Sequence, residues 1–289
     1  MTSSLPKITI VTPSFNQGQY LEDTIRSVLD QAYPNLEYII IDGGSTDSSV
    51  SIIKKYEEHL AYWVSEQDQG LYHGLQKGFD RASGDIMAWI NADDMYHRKS
   101  LFTVAQIFEK FGQVHWLMGS NTYFDQLGHP FVYDDIRYSQ RWSSARLHIF
   151  DGSFIQQESV FWRRALWEEA GSFIDQQYTL AADFELWNRF FRYEKLYTTS
   201  FLLAGFRLRN QDQKSYNQRS KYLEQLRAVL ERGGKEHFRD HPLWMYRLLL
   251  TFAGIIPKKK WRSRVNAKIL DLPPRIIFDR EHGFLIANE

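Results

Sequence analysis

Cysteine is absent from the 289 residues, which excludes disulfide scaffolds, thiol catalysis and Cys-ligated zinc or iron–sulfur centres and fits a reducing compartment. Net charge is absent as well: 35 Lys and Arg stand against 35 Asp and Glu. That balance argues against a wholesale polyanion binder and leaves room for a local basic patch. No uninterrupted apolar run reaches the ~18 residues that a membrane-spanning helix needs; the nearest, Leu243 to Pro257, is broken by Arg247. Met1 to Pro6 has neither the basic start nor the apolar stretch of a secretory leader. The nine His follow no metal-ligand spacing, and there is no internal repeat or low-complexity tract.

Aromatic residues, by contrast, are plentiful: 16% of the chain, with nine Trp. Such a chain can bury a sizeable core and keep rings spare for a ligand or a membrane surface. The balanced charge also hides an asymmetry. From Leu203 onward 18 basic residues face 9 acidic ones, so residues 1–202 hold 17 basic against 26 acidic. An acidic front and a basic back suggest two tasks in one chain.

The first hundred residues alternate in period. Lys7–Thr12, Leu36–Ile41, Ala61–Val64 and Ile86–Ile90 read as strands, the first of them ending at Pro13. Tyr20–Leu29, Thr46–Tyr56, Leu71–Ala82 and Ser100–Phe111 carry helical spacing, with Ser45 or Thr46 a candidate cap. This alternation predicts βαβ units and a mostly parallel sheet, whose ligands sit beyond the carboxyl ends of the strands. Polar clusters fall at those ends: Pro13–Gln17, Asp42–Asp47, Glu66–Gly70 and Asn91–Asp94. Farther on, 114–155 reads as aromatic-rich strands and loops. Arg163–Ala170, Ala182–Arg192 and Tyr216–Arg232 read as helices, the last ended by Gly233-Gly234, and Leu196–Arg209 as extended. Leu243–Gly254 and Trp261–Leu270 read as basic amphipathic helices.

Asn91-Ala92-Asp93-Asp94 follows a buried strand. Adjacent carboxylates there are hard oxygen ligands for Mg²⁺ or Mn²⁺ carrying a diphosphate; a capped turn is the plain alternative. Asp42-Gly43-Gly44-Ser45-Thr46-Asp47 offers glycines for close backbone approach and a carboxylate for a ribose or base, or else an ordinary capped turn. It is neither a Walker loop nor a GxGxxG fingerprint.

Taken in order, Ile10-Val11-Thr12-Pro13-Ser14-Phe15-Asn16, the Asp42–Asp47 string and Asn91-Ala92-Asp93-Asp94 resemble a family 2 glycosyltransferase of GT-A fold. Leu29-Asp30-Gln31-Ala32-Tyr33-Pro34-Asn35 and Trp63–Gly70 are similar to that family too. The resemblance covers roughly 7–210. It implies that Thr12, Pro13, Phe15 and Asn16 line a nucleotide pocket, that Asp42 hydrogen-bonds the base, often uracil, and that Asp68 stands on the same wall. Asn91, Ala92 and Asp93 would meet the sugar nucleotide, with Asp93 and Asp94 at a Mn²⁺ or Mg²⁺ ion. Asn91 replaces the first Asp of the D-x-D motif, removing one negative charge. Asp183, in Ala181-Ala182-Asp183-Phe184-Glu185, matches the family's general base; an inverting transfer needs such a base for the acceptor hydroxyl. By itself the position would serve equally as a helix cap. Gln156-Gln157-Glu158-Ser159-Val160-Phe161-Trp162-Arg163 resembles a family segment below the acceptor pocket, in which Trp162 is a candidate to stack on an acceptor sugar or a core ring. Arg207–Ser215 resembles a loop that closes over the diphosphate. Relatives often have His where Arg209 stands, and Arg can pair with phosphate bidentately.

The expectation is thus an α/β GT-A domain over 1–235, with a nucleotide half to about 113 and an acceptor half from about 114. A helical basic extension follows over 236–289. Its aromatic-rich helix beside Lys258-Lys259-Lys260 suits either an anionic membrane surface or packing on the domain, and no motif points to nucleic acid. The expected activity is inverting transfer from a nucleotide-sugar, UDP-linked first, to a glycan or lipid-linked glycan acceptor. The expected place is the cytoplasm or the inner face of the cell membrane. The rivals are a nucleotidyltransferase and a non-catalytic sugar-nucleotide or glycan binder.

Overall fold

The computed structural model describes residues 5–134, 155–209, 218–232, 243–273 and 275–287. Its first half alternates strands and helices as the periodicity requires: β1 Ile8–Ser14, α1 Leu21–Leu29, β2 Leu36–Asp42, α2 Ser49–Lys55, β3 Tyr62–Ser65, α3 Leu71–Phe79, β4 Ile86–Trp89, β5 Met95–Tyr96 and α4 Ser100–Lys110. Then come β6 Trp116–Met118, β7 Asn121–Phe124, β8 Pro130–Asp134, β9 Val160–Arg163, α5 Arg164–Glu169, α6 Ala182–Phe190, β10 Tyr197–Thr199 and β11 Ala204–Arg207. The basic end holds α7 Arg219–Arg232, α8 Leu243–Gly254, α9 Lys259–Leu270, β12 Arg275–Asp279 and β13 Gly283–Ala287.

The main sheet runs β3-β2-β1-β4-β9-β6-β10-β12-β13. β9 lies antiparallel to β4 and β6, and β13 antiparallel to β12; the other pairings are parallel. A parallel strand covered by helices on both faces needs apolar side chains on both, and β1 is buried at every position. Register Ile10↔Tyr38 and Ile10↔Ala88 brings the ends of β1, β2 and β4 to one edge. Helix α3 lies close on β1: a Cβ on Gly78 would fall 2.4 Å from Val11 Cγ1. Glycine costs a helix about 1 kcal/mol against alanine; here the close approach requires it. A second sheet, β5-β11-β7-β8, lies beside the first.

The aromatic wealth is mostly core. Trp89 and Trp187 stack at 5.4 Å, and Trp162 meets Trp89, Trp187, Phe79 and Phe190 within 5.8 Å. Two expectations change. Helix α2 begins at Ser49 and neither Ser45 nor Thr46 caps it; the Asp47 carboxylate instead accepts from Ser49 N at 2.9 Å and Gly18 N at 2.8 Å. The helical description of the basic extension holds for α8 and α9. The chain then returns as a hairpin, with β12 docked on β10 through Thr198↔Arg275 and Thr199↔Ile276. The expected boundary near 235, Tyr216 and the Gly233-Gly234 stop lie outside the described residues.

Glu37 fastens one end of this sheet. Its carboxylate accepts from Lys7 Nζ, Thr9 Oγ1, Ser83 N and Ser83 Oγ at 2.5–2.7 Å. Burial alone would raise its pKa, but these donors outweigh burial and hold it at about 2. A carboxylate depressed in the fold stabilises above its ordinary value of 4.5 and loses that contribution as pH falls toward 2. Thermal melts of wild type should therefore drop across this window, and Glu37→Gln should lack that part of the slope. Glu37→Ala should cost about 1.5–3 kcal/mol at neutral pH.

Candidate active site

The polar loops at the carboxyl ends of β1 to β4 form one edge, as a doubly wound sheet dictates. Within the first loop, Thr12 is enclosed and its hydroxyl meets Tyr38 Oη at 3.0 Å. Pro13 is buried too, so neither faces an open pocket as expected. Phe15 is 55% exposed, a bare ring at the mouth. Asn16, at φ 52°, joins two loops: its N–H donates to Ser45 Oγ and its Oδ1 accepts from Thr46 N.

Asp42 is buried and occupied. Its carboxylate accepts from Gly44 N, Ser45 N, Ser45 Oγ and Ser65 Oγ at 2.6–3.2 Å. It shapes its own loop. Asp68 is half-buried on the neighbouring loop, accepts from Gly70 N at 2.8 Å, and would lie 3.0 Å from a Cβ on Gly43. Residue 43 must stay bare for Asp68 to stand there.

In the next loop Ala92 is buried and Asp94 fully enclosed. Asp94 Oδ1 accepts from Arg207 N at 2.9 Å and Oδ2 from Asn91 Nδ2 at 3.1 Å. Burial, then the charges of Asp93 and Glu158, hold its pKa well above the usual carboxylate range. Asp94 is therefore a structural acid and not the exposed metal ligand expected. Asn91 also donates to Gln157 Oε1 at 3.0 Å, and Gln157 Nε2 to the Trp89 carbonyl at 2.9 Å. Asp93 Oδ2 lies 3.1 Å from Arg209 Nη2, the two side chains being 15% and 17% exposed.

These residues test the expected divalent ion. Mg²⁺ in such a site is held near-octahedrally by one or two carboxylates, with waters and substrate phosphates completing the set. Here Asn91 is neutral, Asp94 is enclosed and Asp93 is already paired with a guanidinium. Among the described residues no three His, Asp or Glu converge as a metal cage. Without a diphosphate, this donor set is too poor to hold a divalent ion by itself.

Asp183 sits in the first turn of α6, whose Trp187 is anchored in the Trp cluster. Burial pushes its pKa up to about 6, against hydrogen bonds from Phe184 N and from Tyr72 Oη at 3.4 Å. Tyr72 belongs to α3, which starts three residues beyond Asp68, so one helix links the two carboxylates. Glu185 pairs with Arg189 Nε at 2.9 Å, and Arg189 holds the Ala170 and Phe173 carbonyls; Glu185 braces the helix. Trp162 has no exposed surface and cannot stack on a sugar.

Arg207 is buried as well. It donates to Asp93 O at 2.7 Å, Gln126 O at 2.9 Å and Asp23 Oδ2 at 3.0 Å. It is an internal brace and not the diphosphate contact expected. Asn210 to Ser215 of the expected closing loop lie outside the described residues.

Tyr72 escaped the sequence reading, whereas Gln157 and Glu158 lie in the Gln156–Arg163 segment that the resemblance sets below the acceptor pocket. Glu158 is buried with Oε1 unpartnered, and its pKa is pushed up to about 8, first by burial and further by the charges of Asp93 and Asp183. Glu158 thus feels the charge of both acidic motifs.

The family described as Glycosyl transferase family 2 matches over residues 9–165. TuaG of Bacillus subtilis, a glycosyltransferase assigned by name to teichuronic acid biosynthesis, is 37% identical over 106 residues, 35% of this chain and 41% of that protein. An uncharacterized glycosyltransferase of Rickettsia typhi is 26% identical over 227 residues, 78% of this chain and 70% of its own length. Among solved structures, Staphylococcus aureus TarS 1–349 in complex with UDP has a TM-score of 0.58 at 15% identity, covering 92% of this chain and 88% of that one. A mannosyltransferase from Pyrobaculum calidifontis, in complex with GDP-Man and Mn²⁺, has a TM-score of 0.60 at 17% identity, covering 93% and 86%. At these identities the two structures speak for the fold, which is the GT-A type expected. With its family motifs gathered along one sheet edge, the chain belongs to glycosyl transferase family 2.

Proposed function

We propose that the chain transfers a sugar from a nucleotide-sugar to an acceptor hydroxyl with inversion at the anomeric carbon. The observation that carries this reading is Asp183: a carboxylate held near pKa 6, on an anchored helix, beside the nucleotide-side edge. In the step proposed, the hydroxyl oxygen attacks the anomeric carbon from the face opposite the diphosphate. Asp183 takes its proton as the bond to the diphosphate breaks, and the electron pair leaves on the diphosphate oxygen. Asp68 and Phe15 receive the base. A UDP-sugar is the first donor to try, and TarS has been crystallised with UDP-GlcNAc. The test is a panel of UDP-, GDP-, dTDP- and CDP-sugars scored for binding and for transfer to glycan or lipid-linked glycan acceptors. Transfer from one donor supports the reading; binding of one donor with no transfer to any acceptor favours a non-catalytic binder.

The acceptor side we assign to a polysaccharide or lipid-linked oligosaccharide at the inner face of the membrane. No helix among the described residues is long and apolar enough to cross a bilayer. Yet Phe252, Ile255 and Trp261 are 59%, 72% and 61% exposed, beside exposed Lys258 and Arg264. Apolar rings and cations side by side suit an anionic lipid surface. The intact chain should co-sediment with phosphatidylglycerol vesicles and not with phosphatidylcholine ones. Phe252→Ser with Ile255→Ser should release it; equal sedimentation of this variant would remove the membrane assignment.

A further inference from the structure

We propose that Arg209, in place of a divalent cation, neutralises the donor diphosphate, so that this chain binds and turns over its donor without metal. The inference rests on the transferase reading above.

The guanidinium of Arg209 is already fixed where a bound cation would be useful. Its Nη2 meets Asp93 Oδ2 at 3.1 Å, its Nη1 donates to Gln17 Oε1 at 3.2 Å, and its plane lies 5.6 Å from the Tyr20 ring centre. Gln17 closes the loop after β1, and Asp93 ends the run after β4. Arg209 therefore bridges the two loops between which a doubly wound sheet takes its ligand. Its Nε is buried and has no partner. A buried N–H on a charged group that lacks an acceptor marks a missing one, and a phosphate oxygen is the natural complement of a guanidinium fork.

The same residues work against a dication. Asn91 places an amide where a second negative charge would help hold one. Asp94 is enclosed, with oxygens engaged by Arg207 N and Asn91 Nδ2. Only Asp93 remains in that loop, and its Oδ2 is already paired with Arg209. No further reactant is needed. The bond to the diphosphate breaks, its electron pair stays on the leaving oxygen beside the guanidinium, and the acceptor proton goes to Asp183.

The experiment uses the full chain stripped of metal, with UDP, GDP, dTDP and CDP as calorimetric probes and their sugars as turnover substrates. Each is measured in EDTA, Mn²⁺ and Mg²⁺. The preferred diphosphate should bind within about threefold of the same affinity in EDTA and in Mn²⁺, with turnover equally indifferent. Arg209→Ala should weaken binding by about 30-fold or more in EDTA. Arg209→Lys, which keeps the charge but loses the fork, should fall between. Arg209→His, which offers a neutral metal ligand, should make binding respond to Mn²⁺. Melting temperatures of all variants separate folding from binding. Loss of wild-type binding or turnover in EDTA, or wild-type affinity in folded Arg209→Ala, overturns the inference. No diphosphate bound and no sugar transferred under any condition overturns the transferase reading itself, a result distinct from metal dependence.

Discussion

Asp183→Asn should leave nucleoside-diphosphate affinity within about twofold of wild type while cutting transfer by about 10²–10⁴-fold, the range a general base supplies. The substitution keeps the size of the side chain and its contact with Tyr72 but removes the proton acceptor. Two features make the loss specific to the chemical step. The nucleotide-side residues Phe15, Asp68 and Arg209 sit on other elements, so donor binding does not pass through Asp183. Helix α6 is fixed by Trp187 in the core and by the Glu185–Arg189 pair, so the variant should keep its fold. Wild-type turnover should rise with pH through a midpoint near 6, because the ionised form is the base and burial has lifted its pKa to about 6. In the variant that limb should vanish. Near-normal transfer by Asp183→Asn, or an unchanged pH limb, would exclude it as the base.

Arg207→Ala should be the most destabilising single change named here, about 3–5 kcal/mol, the range for breaking one side of a buried charged network. For a chain of this size that corresponds to a melting temperature lower by roughly 10 °C. The side chain meets the Asp93 and Gln126 carbonyls and Asp23, and its guanidinium lies 5.0 Å from the Tyr20 ring centre. Removing it leaves those carbonyls without a donor and loosens the segment that carries Arg209. The contrast between the two arginines is the point of the measurement: Arg209→Ala should lose binding with little change in melting temperature, and Arg207→Ala the reverse. If Arg207→Ala melted like wild type and lost only donor affinity, the bracing role would be wrong.

The doubly wound half was legible because its signals are local. Apolar runs such as Leu36–Ile41 and the spacing of Leu21, Ile25 and Val28 each determine an element within a few residues, and the four polar clusters mark the edge where ligands gather. What stayed hidden depends on partners far away in sequence. Nothing local to Asp93-Asp94 tells which acid faces solvent. That is decided by Arg207, more than a hundred residues later, whose backbone N–H draws Asp94 inward. The four donors to Asp42 come from the loop it folds and from Ser65. Trp162 and Arg207 lie in segments that match the family, but burial assigned them to packing. The hairpin Arg275–Ala287 was missed for a similar reason. Its strands are too mixed to show a clean alternation, and only β10 gives them a sheet to join.

That hairpin also guards the sheet. Without it, β10 would present a row of unpaired amides and carbonyls, and such an open edge is a template for pairing with another molecule. β12 covers that row, and the new rim it creates is β13, crossed over Lys110 by a hydrogen bond to the His282 carbonyl. Residues read as a basic appendage thus move the open edge of the sheet from β10 out to β13.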